Sequence, residues 1–417
     1  MNPVREPQLS RCAIQIFPKE TCGSCVGGNL QHHLCVADDT ESGQSDPAES
    51  PLRVESSSMR NFRIRPDIER VKVGDFALPL GVARLDTPAP IEGFTIKFEP
   101  GEEGEPDSYA YQVVVSHDEV RAILHDLFEL LPSEVSPVVE IGSVDAYRSI
   151  DVYVSSEPIS VADFTGVWDA FEPILLEEVS IGAGVTAEDP LLEIFVDAWK
   201  SITIHCPEEM RSAIEERLES HGIEEVPQTW PDEPFDEFDP PYRMREILLI
   251  EDEHSPDIDE FLLQLRTEWG LQLNVDPDSN VDEAGRELGH TLWHAIAMAD
   301  PIEDDVVGGA YVTVWATAAS LEEVEGLVET AVEELGDWVM HGVYSIERVA
   351  YDERPDELHD LAPLRKATEV HMVALDEWGG SVPPDAPGGG ADDAPEPPER
   401  DDDSGGWGSP GGRLFPR

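Results

Sequence analysis

The stretch His290-Thr291-Leu292-Trp293-His294-Ala295-Ile296-Ala297-Met298-Ala299 decides how this chain is read. Wound as a helix, it places Glu283, Glu287, His290 and His294 on one face, because residues three and four apart are neighbours there. Drawn out as a strand, its period of two aligns His290 and His294 with Leu292, Ile296 and Met298. The first reading makes a metal-ligand pair of the two histidines; the second makes them structural. We read a strand. Tyr311–Ala316 alternates Val, Thr and Trp as a strand does, and Trp293–Ala299 is the hairpin partner it otherwise lacks.

Downstream, Ser320 and Glu323 form a capping box for a helix striped by Val324, Leu327, Val328, Ala331 and Leu335, with Gly336 past its end. Residues 338–350 follow as a strand. Upstream, Ile247–Ile250 reads as a strand, and Ile258, Phe261, Leu262 and Leu265 stripe a helix. Residues 242–355 thus give strand–helix–strand, twice. Residues 59–226 show a related pattern, with strands at Tyr109–Val115, Val138–Ile141, Ile150–Val154, Leu192–Trp199 and Ser201–Cys206. Ser116 with Glu119 caps a helix striped by Val120, Leu124, Leu127 and Leu131. A second helix follows Ser160 and should end or kink at Pro173; a third starts at Pro207, is striped by Met210, Ile214 and Leu218, and stops at Gly222. The expected fold class is α+β, two ferredoxin-like (split βαβ) segments in tandem, helices on one face of a small antiparallel sheet.

Between the segments, 227–241 interleaves prolines and carboxylates around Trp230, Phe235 and Phe238, a linker composition. Residues 356–378 form an expected ordered extension. Residues 379–417, rich in Gly, Pro and Asp, are expected to be disordered, since they bury too little to offset the entropy of ordering. Residues 1–58 are expected to be a disordered or mis-annotated extension, with patterned sequence beginning at Met59.

The 417 residues carry 89 acidic against 27 basic side chains, a formal charge of −62. Such a surface repels phosphate backbones and anionic membranes, so the folded part is expected to bind neither nucleic acid nor membrane. The carboxylates are spread along 60–360, and only five lysines accompany 22 arginines (Lys+Arg 27). That distribution reads as a salt-adapted, solvated surface. No run reaches the roughly 18 apolar residues of a membrane span, and no secretory signal is evident, so a cytoplasmic location is expected. Residues 1–36 stand apart: Arg5, Arg11 and Lys19 outweigh Glu6 and Glu20, and four of the five cysteines lie there.

Several segments have the residue types of a site. Asp276, Asp278, Asn280 and Glu287 fall at positions 1, 3, 5 and 12 of a calcium loop, though Val281 takes the place of the glycine such loops turn on. His290 and His294 would offer two ligands if helical. Cys22, Cys25, His32 and Cys35 offer zinc a Cys-x-x-Cys half-site with a tight second half. Cys206 reads as a buried structural thiol. The run Ile247-Leu248-Leu249-Ile250-Glu251-Asp252-Glu253 resembles the opening of a response-regulator receiver domain, which implies Mg²⁺ at the acidic pair and Asp300 as phosphoacceptor. The strand at 311–316 leaves no room for that family's helix before Thr317, and no lysine lies between Lys200 and Lys366, so the receiver reading fails.

No phosphate-binding glycine loop, nucleophile elbow or Ser/His/Asp signature occurs. The expectation is a non-enzymatic module that binds a protein or ligand, with a protein partner or homodimer plausible for such modules. Its rivals are a divalent-metal (Ca²⁺)-binding protein or metal-dependent enzyme using 276–294, and an acidic decoy for a basic partner, with Zn²⁺ confined to the Cys22, Cys25, His32 and Cys35 group.

Overall fold

The computed structural model describes residues 62–378 apart from 86–87, 102–106, 231–241, 252–254, 303–307 and 363–365. The Cys22/Cys25/His32/Cys35 group, both terminal extensions and most of the 227–241 linker lie outside the described residues. Among the described residues the architecture is mixed α+β with several sheets and five α-helices.

The larger sheet takes strands from Gly93–Glu99 (β1), Ser108–Val114 (β2), Glu134–Gly142 (β3), Ile150–Ser155 (β4), Ile181–Glu188 (β5), Leu191–Val196 (β6), Ile202–Cys206 (β7) and Leu271–Leu273 (β8). Its order is β8-β4-β3-β5-β6-β7-β2-β1, antiparallel throughout, with Ile159–Ser160 added against β3. A ferredoxin-like segment would set the strand before the first helix between the other strands of its unit. Here β2 and β3, joined by the helix His117–Phe128 (α1), are separated by the β5–β6–β7 meander. Residues of one parity on each strand face the helices: Val113, Ile204, Ile194, Val185 and Val139 pack with Val120, Leu124 and Leu127 of α1 and Phe164 and Trp168 of Val161–Glu177 (α2). Arg211–Ser220 (α3) and Ile258–Trp269 (α4) add Ile214, Leu218, Phe261 and Trp269 to the same core. Among the described residues no helix covers the opposite face.

Three local expectations change. Helix α2 does not end at Pro173 but continues to Glu177, because Ile174, Leu175 and Leu176 beyond it are buried and their burial outweighs one missing backbone bond. Ser116 does not cap α1; its Oγ accepts the Ala77 amide at 3.0 Å and ties an N-terminal arm to the helix start. Residues 247–250 form no strand: Leu248 makes a single bridge to Ile64, and the α4 helix that follows packs in the larger core, not with the second module.

The second sheet contains the opening stretch. Thr291–Pro301 (β9) and Gly309–Ala318 (β10) form a hairpin with Trp293 opposite Ala316 and Ala299 opposite Ala310. Leu321–Glu334 (α5) crosses to Trp338–Val349 (β11), which pairs with β9, and Glu369–Trp378 (β12) pairs with β10. The order is β11-β9-β10-β12. Strands β10 and β11 are both antiparallel to β9, so they run parallel to each other with β9 between: one split βαβ unit, with β12 at the far edge. Ala295, Ala297, Ala299, Val312 and Val314 bury beneath Val324 and Val328 of α5. Small side chains on the sheet let the helix sit close.

A buried ion pair joins the sheets. Arg348 of β11 places its guanidinium on Asp145 in the β3–β4 loop (Nη2–Oδ1 2.8 Å), with the two residues 3% and 4% exposed. Arg348 also donates to Asn280 Oδ1 at 2.9 Å and to the Val281 carbonyl at 2.7 Å, and it lies over the Tyr147 ring. No described helix is long and apolar enough to cross a membrane.

Candidate functional site

At one end of the larger sheet, residues 71–85 form an arm of short strands (Lys72–Val73, Phe76–Ala77, Val82–Leu85) folded over the ends of β2 and the β6–β7 turn. Phe76, Leu78 and Val82 bury there with Val114 and Val179, and Trp199 meets Trp230 edge to face at 5.3 Å. Beneath the arm is a chamber of about 20 Å³, room for one water-sized molecule. Its walls are mostly apolar, and its polar lining comes from His117, Lys200 and Ser201.

Glu177, the last residue of α2, holds this end together. Arg70 donates to it twice, with Nη1 at 2.9 Å from Oε2; the Leu80 amide donates to Oε2 at 2.7 Å; and His117 Nε2 stands 3.2 Å from Oε1. Its backbone carbonyl accepts Gly81 N–H at 2.9 Å, an approach that needs glycine, since a Cβ at 81 would lie 2.8 Å from that oxygen. Burial alone would raise the Glu177 carboxyl, but the hydrogen bonds from His117 and Arg70 prevail and hold it down at about 2.

The β6–β7 turn supplies the other wall. Asp197 accepts the Lys200 amide on its carbonyl at 3.0 Å and the Ser201 amide on Oδ1 at 2.9 Å, which closes the turn with Lys200 in the left-handed region at φ 63°. The Lys200 side chain is 3% exposed and donates to the Ile181 carbonyl at 2.7 Å. Burial lowers Lys200 to about 8 and raises Asp197 to about 6.

Two buried atoms here make no hydrogen bond: His117 Nδ1 and Ser201 Oγ. In the neutral tautomer with its proton on Nε2, toward the carboxylate, Nδ1 is an acceptor. Ser201 Oγ both donates and accepts. The two atoms are not bonded to each other. What remains is an acceptor and a hydroxyl on the wall of an apolar chamber.

The residues singled out by sequence lie elsewhere. Asn280 is buried and spent on structure: it donates to the Gly289 carbonyl at 2.6 Å and to Thr291 Oγ1 at 2.9 Å, and it braces Arg348. Asp276 accepts the Asp278 amide, and Glu287 sits on a bridge opposite Val281, so no second helix follows the loop. The structure does not bring Asp276, Asp278, Asn280 and Glu287 to one point. His290 precedes β9 and His294 lies within it, four residues apart and so ~13 Å along an extended chain, beyond sharing an ion. His294 instead pairs with Glu347 at 3.0 Å and lies tilted against the Trp315 ring, centroids 4.4 Å apart. Cys206 is buried, as its pattern implied.

Among the described residues one group of three converges as metal ligands do, His125 of α1 with Asp169 and Glu172 of α2. Arg121 Nε stands 2.5 Å from the second oxygen of Glu172 and His125 Nε2 2.5 Å from the first. A guanidinium there opposes a second cation.

Sequence reading missed His117, Glu177 and Ser201, which lie far apart along the chain and are brought together by the arm. The one local signal was Asp197-Ala198-Trp199-Lys200-Ser201, a tight turn without glycine between two apolar strands. No family model matches this chain, and neither a curated protein nor a solved structure matches it.

Proposed function

We propose that this is a non-enzymatic binding module for an uncharged ligand with a hydroxyl head and a small apolar body, held under the 71–85 arm. The observation that carries the reading is the pair of unpartnered buried atoms, His117 Nδ1 and Ser201 Oγ, on an otherwise apolar wall. A hydroxyl donates to the first and accepts from the second, which satisfies both groups at once; a buried polar atom left unpaired costs about 1–3 kcal/mol. The body packs against Trp199 and Trp230 as the arm lifts, and Glu177 is the latch that returns it.

Titration with straight-chain alcohols, followed by tryptophan emission, tests this. Saturable binding that Ser201→Ala and His117→Phe each weaken about tenfold is expected. A linear response, the same in all three proteins, rejects it. The metal alternative rests on His125, Asp169 and Glu172, where Arg121 already supplies the positive charge.

A further inference from the structure

The two edges of the β11-β9-β10-β12 sheet differ, and the difference is independent of the chamber. Along β11 the outward backbone groups are taken up by the β3–β4 loop and α4. The Arg348 amide donates to Asp145 Oδ2 at 2.8 Å, its carbonyl accepts the Ala146 amide at 2.9 Å, and the Tyr344 carbonyl accepts Arg266 Nη1 at 3.2 Å. Along β12, among the described residues, no strand pairs on the outer side. An edge strand turns alternate N–H and C=O groups outward, a template for a further strand unless proline, lysine or a bulge blunts it. Residues 369–378 contain neither proline nor lysine, and the one register shift of β12 lies near its start, opposite Trp315 and Ala316.

The side chains of β12 are left as incomplete as its backbone. Val373 stands opposite Val314 and Leu375 opposite Val312, so all four share the face that α5 covers. Val312 and Val314 are fully buried, whereas Val373 and Leu375 are 39% and 38% exposed. Helix α5 covers β10 and stops short of the edge strand.

We propose that a second copy of this chain covers this edge, β12 pairing antiparallel with its counterpart about a two-fold axis at Ala374. Such an axis sets one residue opposite its own copy and thereby fixes every other pair. With Ala374 on the axis, Val373 of each chain meets Leu375 of the other, and the half-exposed side chains fill the strip between two α5 helices. Within β12 no carboxylate then faces a carboxylate, and Glu377 lies opposite His371. An axis one residue earlier sets Glu369 against Glu377, and one residue later sets Val373 against Glu377. The opposing force is charge. Each copy carries a net −62, and Glu369, Asp376 and Glu377 lie on β12 itself, so the pairing needs salt, which shortens the screening length to about 3 Å at 1 M.

Sedimentation velocity of the full chain between 0.05 and 1 M KCl tests the proposal, and a doubling of mass as salt rises is expected. Leu375→Lys makes the chain less negative, yet it should raise the protein concentration needed for dimers at least tenfold, because it sets an ammonium against Val373. Glu216→Gln, the same change of charge on the exposed side of α3, should leave that concentration unchanged. Cross-linking reads the register, in chains whose Cys12, Cys22, Cys25 and Cys35 are replaced by serine. Ala374→Cys should form an interchain disulfide on air oxidation at 1 M KCl, since directly opposed Cβ atoms lie about 4.5–5.5 Å apart. Glu369→Cys should not, since its own copy stands ~33 Å along the paired strand. Three results overturn the proposal. One is a monomer at every salt concentration, the outcome if residues 379–417 of the same chain cover the edge. The others are dimers that Leu375→Lys leaves unchanged, and cross-linking at Glu369→Cys equal to that at Ala374→Cys.

Discussion

Glu177 shows how one carboxylate can organise a region that sequence leaves blank. It terminates α2 yet receives Arg70, the Leu80 amide and His117, so the arm, the helix and the chamber wall meet on two oxygens. Its carboxyl falls from an ordinary 4.5 to about 2 on folding. A depressed acid stabilises the folded state fully above its unfolded value and stops doing so as pH falls through its folded value. The Glu177 contribution is therefore intact above about pH 4.5 and lost between there and about pH 2. Glu177→Gln should lower stability by about 1.5–3 kcal/mol at neutral pH, the range for hydrogen bonds to a charged group. The gap between variant and wild type should close as pH falls through that window. Urea midpoints of both proteins at pH 7 and pH 3 measure it; a gap that stays constant shows that the ionised form has no special role.

At the scale of elements, periodicity was a good guide and connectivity a poor one. The β9–β10 hairpin, α1, α4, α5 and the β6–β7 pair all follow from apolar spacing, and Ser320 does accept the Glu323 amide at 3.2 Å as the second capping box required. The misses have physical causes. Strand β5 carries Gly182 and Gly184, which depress strand propensity, but glycine is needed there: a Cβ at 184 would lie 2.4 Å from the Ile194 carbonyl oxygen, and at 182 2.7 Å from the Phe195 ring. Strand order was not legible because the same strand–helix–strand pattern serves several topologies, and the face that α4 buries is set by Phe164 and Trp168, about a hundred residues upstream. Nor was Asp145, isolated in a loop, visible as the partner of Arg348. That pair makes its own prediction. Asp145→Asn leaves the Arg348 guanidinium buried without its carboxylate and should cost about 3–5 kcal/mol, whereas Arg348→Met leaves Asp145 with Arg148 Nη1 at 3.4 Å and should cost less. The double variant Asp145→Leu/Arg348→Met should be markedly less destabilised than the sum of the singles, since no charge is left buried. Chemical denaturation of all four proteins in a double-mutant cycle decides it; strict additivity means the two residues act separately.

Across the whole molecule the dominant quantity is a net charge of −62, and most of it lies outside every site described above. The ion pairs show how little of it is neutralised locally: Arg63, Arg65, Arg70, Arg217 and Arg286 each already hold a carboxylate, and acidic residues outnumber all basic ones 89 to 27. The remaining carboxylates repel one another in the folded state more than in the expanded chain, where they stand farther apart. Salt reduces that difference on a definite scale. The screening length is about 30 Å at 0.01 M, about 10 Å at 0.1 M and about 3 Å at 1 M, so pairwise repulsion is largely gone before molar concentrations are reached. The melting temperature should therefore rise by several degrees between 0.05 and 0.5 M KCl and then flatten. Excluded solutes such as sulfate also stabilise proteins, but by raising the cost of exposing surface, an effect that keeps growing with concentration. A KCl series beside an uncharged sucrose series separates the two. A steep early rise in KCl with none in dilute sucrose identifies charge repulsion as the opposing force, whereas a melting temperature indifferent to KCl below 0.5 M means that the acidic surface costs the fold nothing.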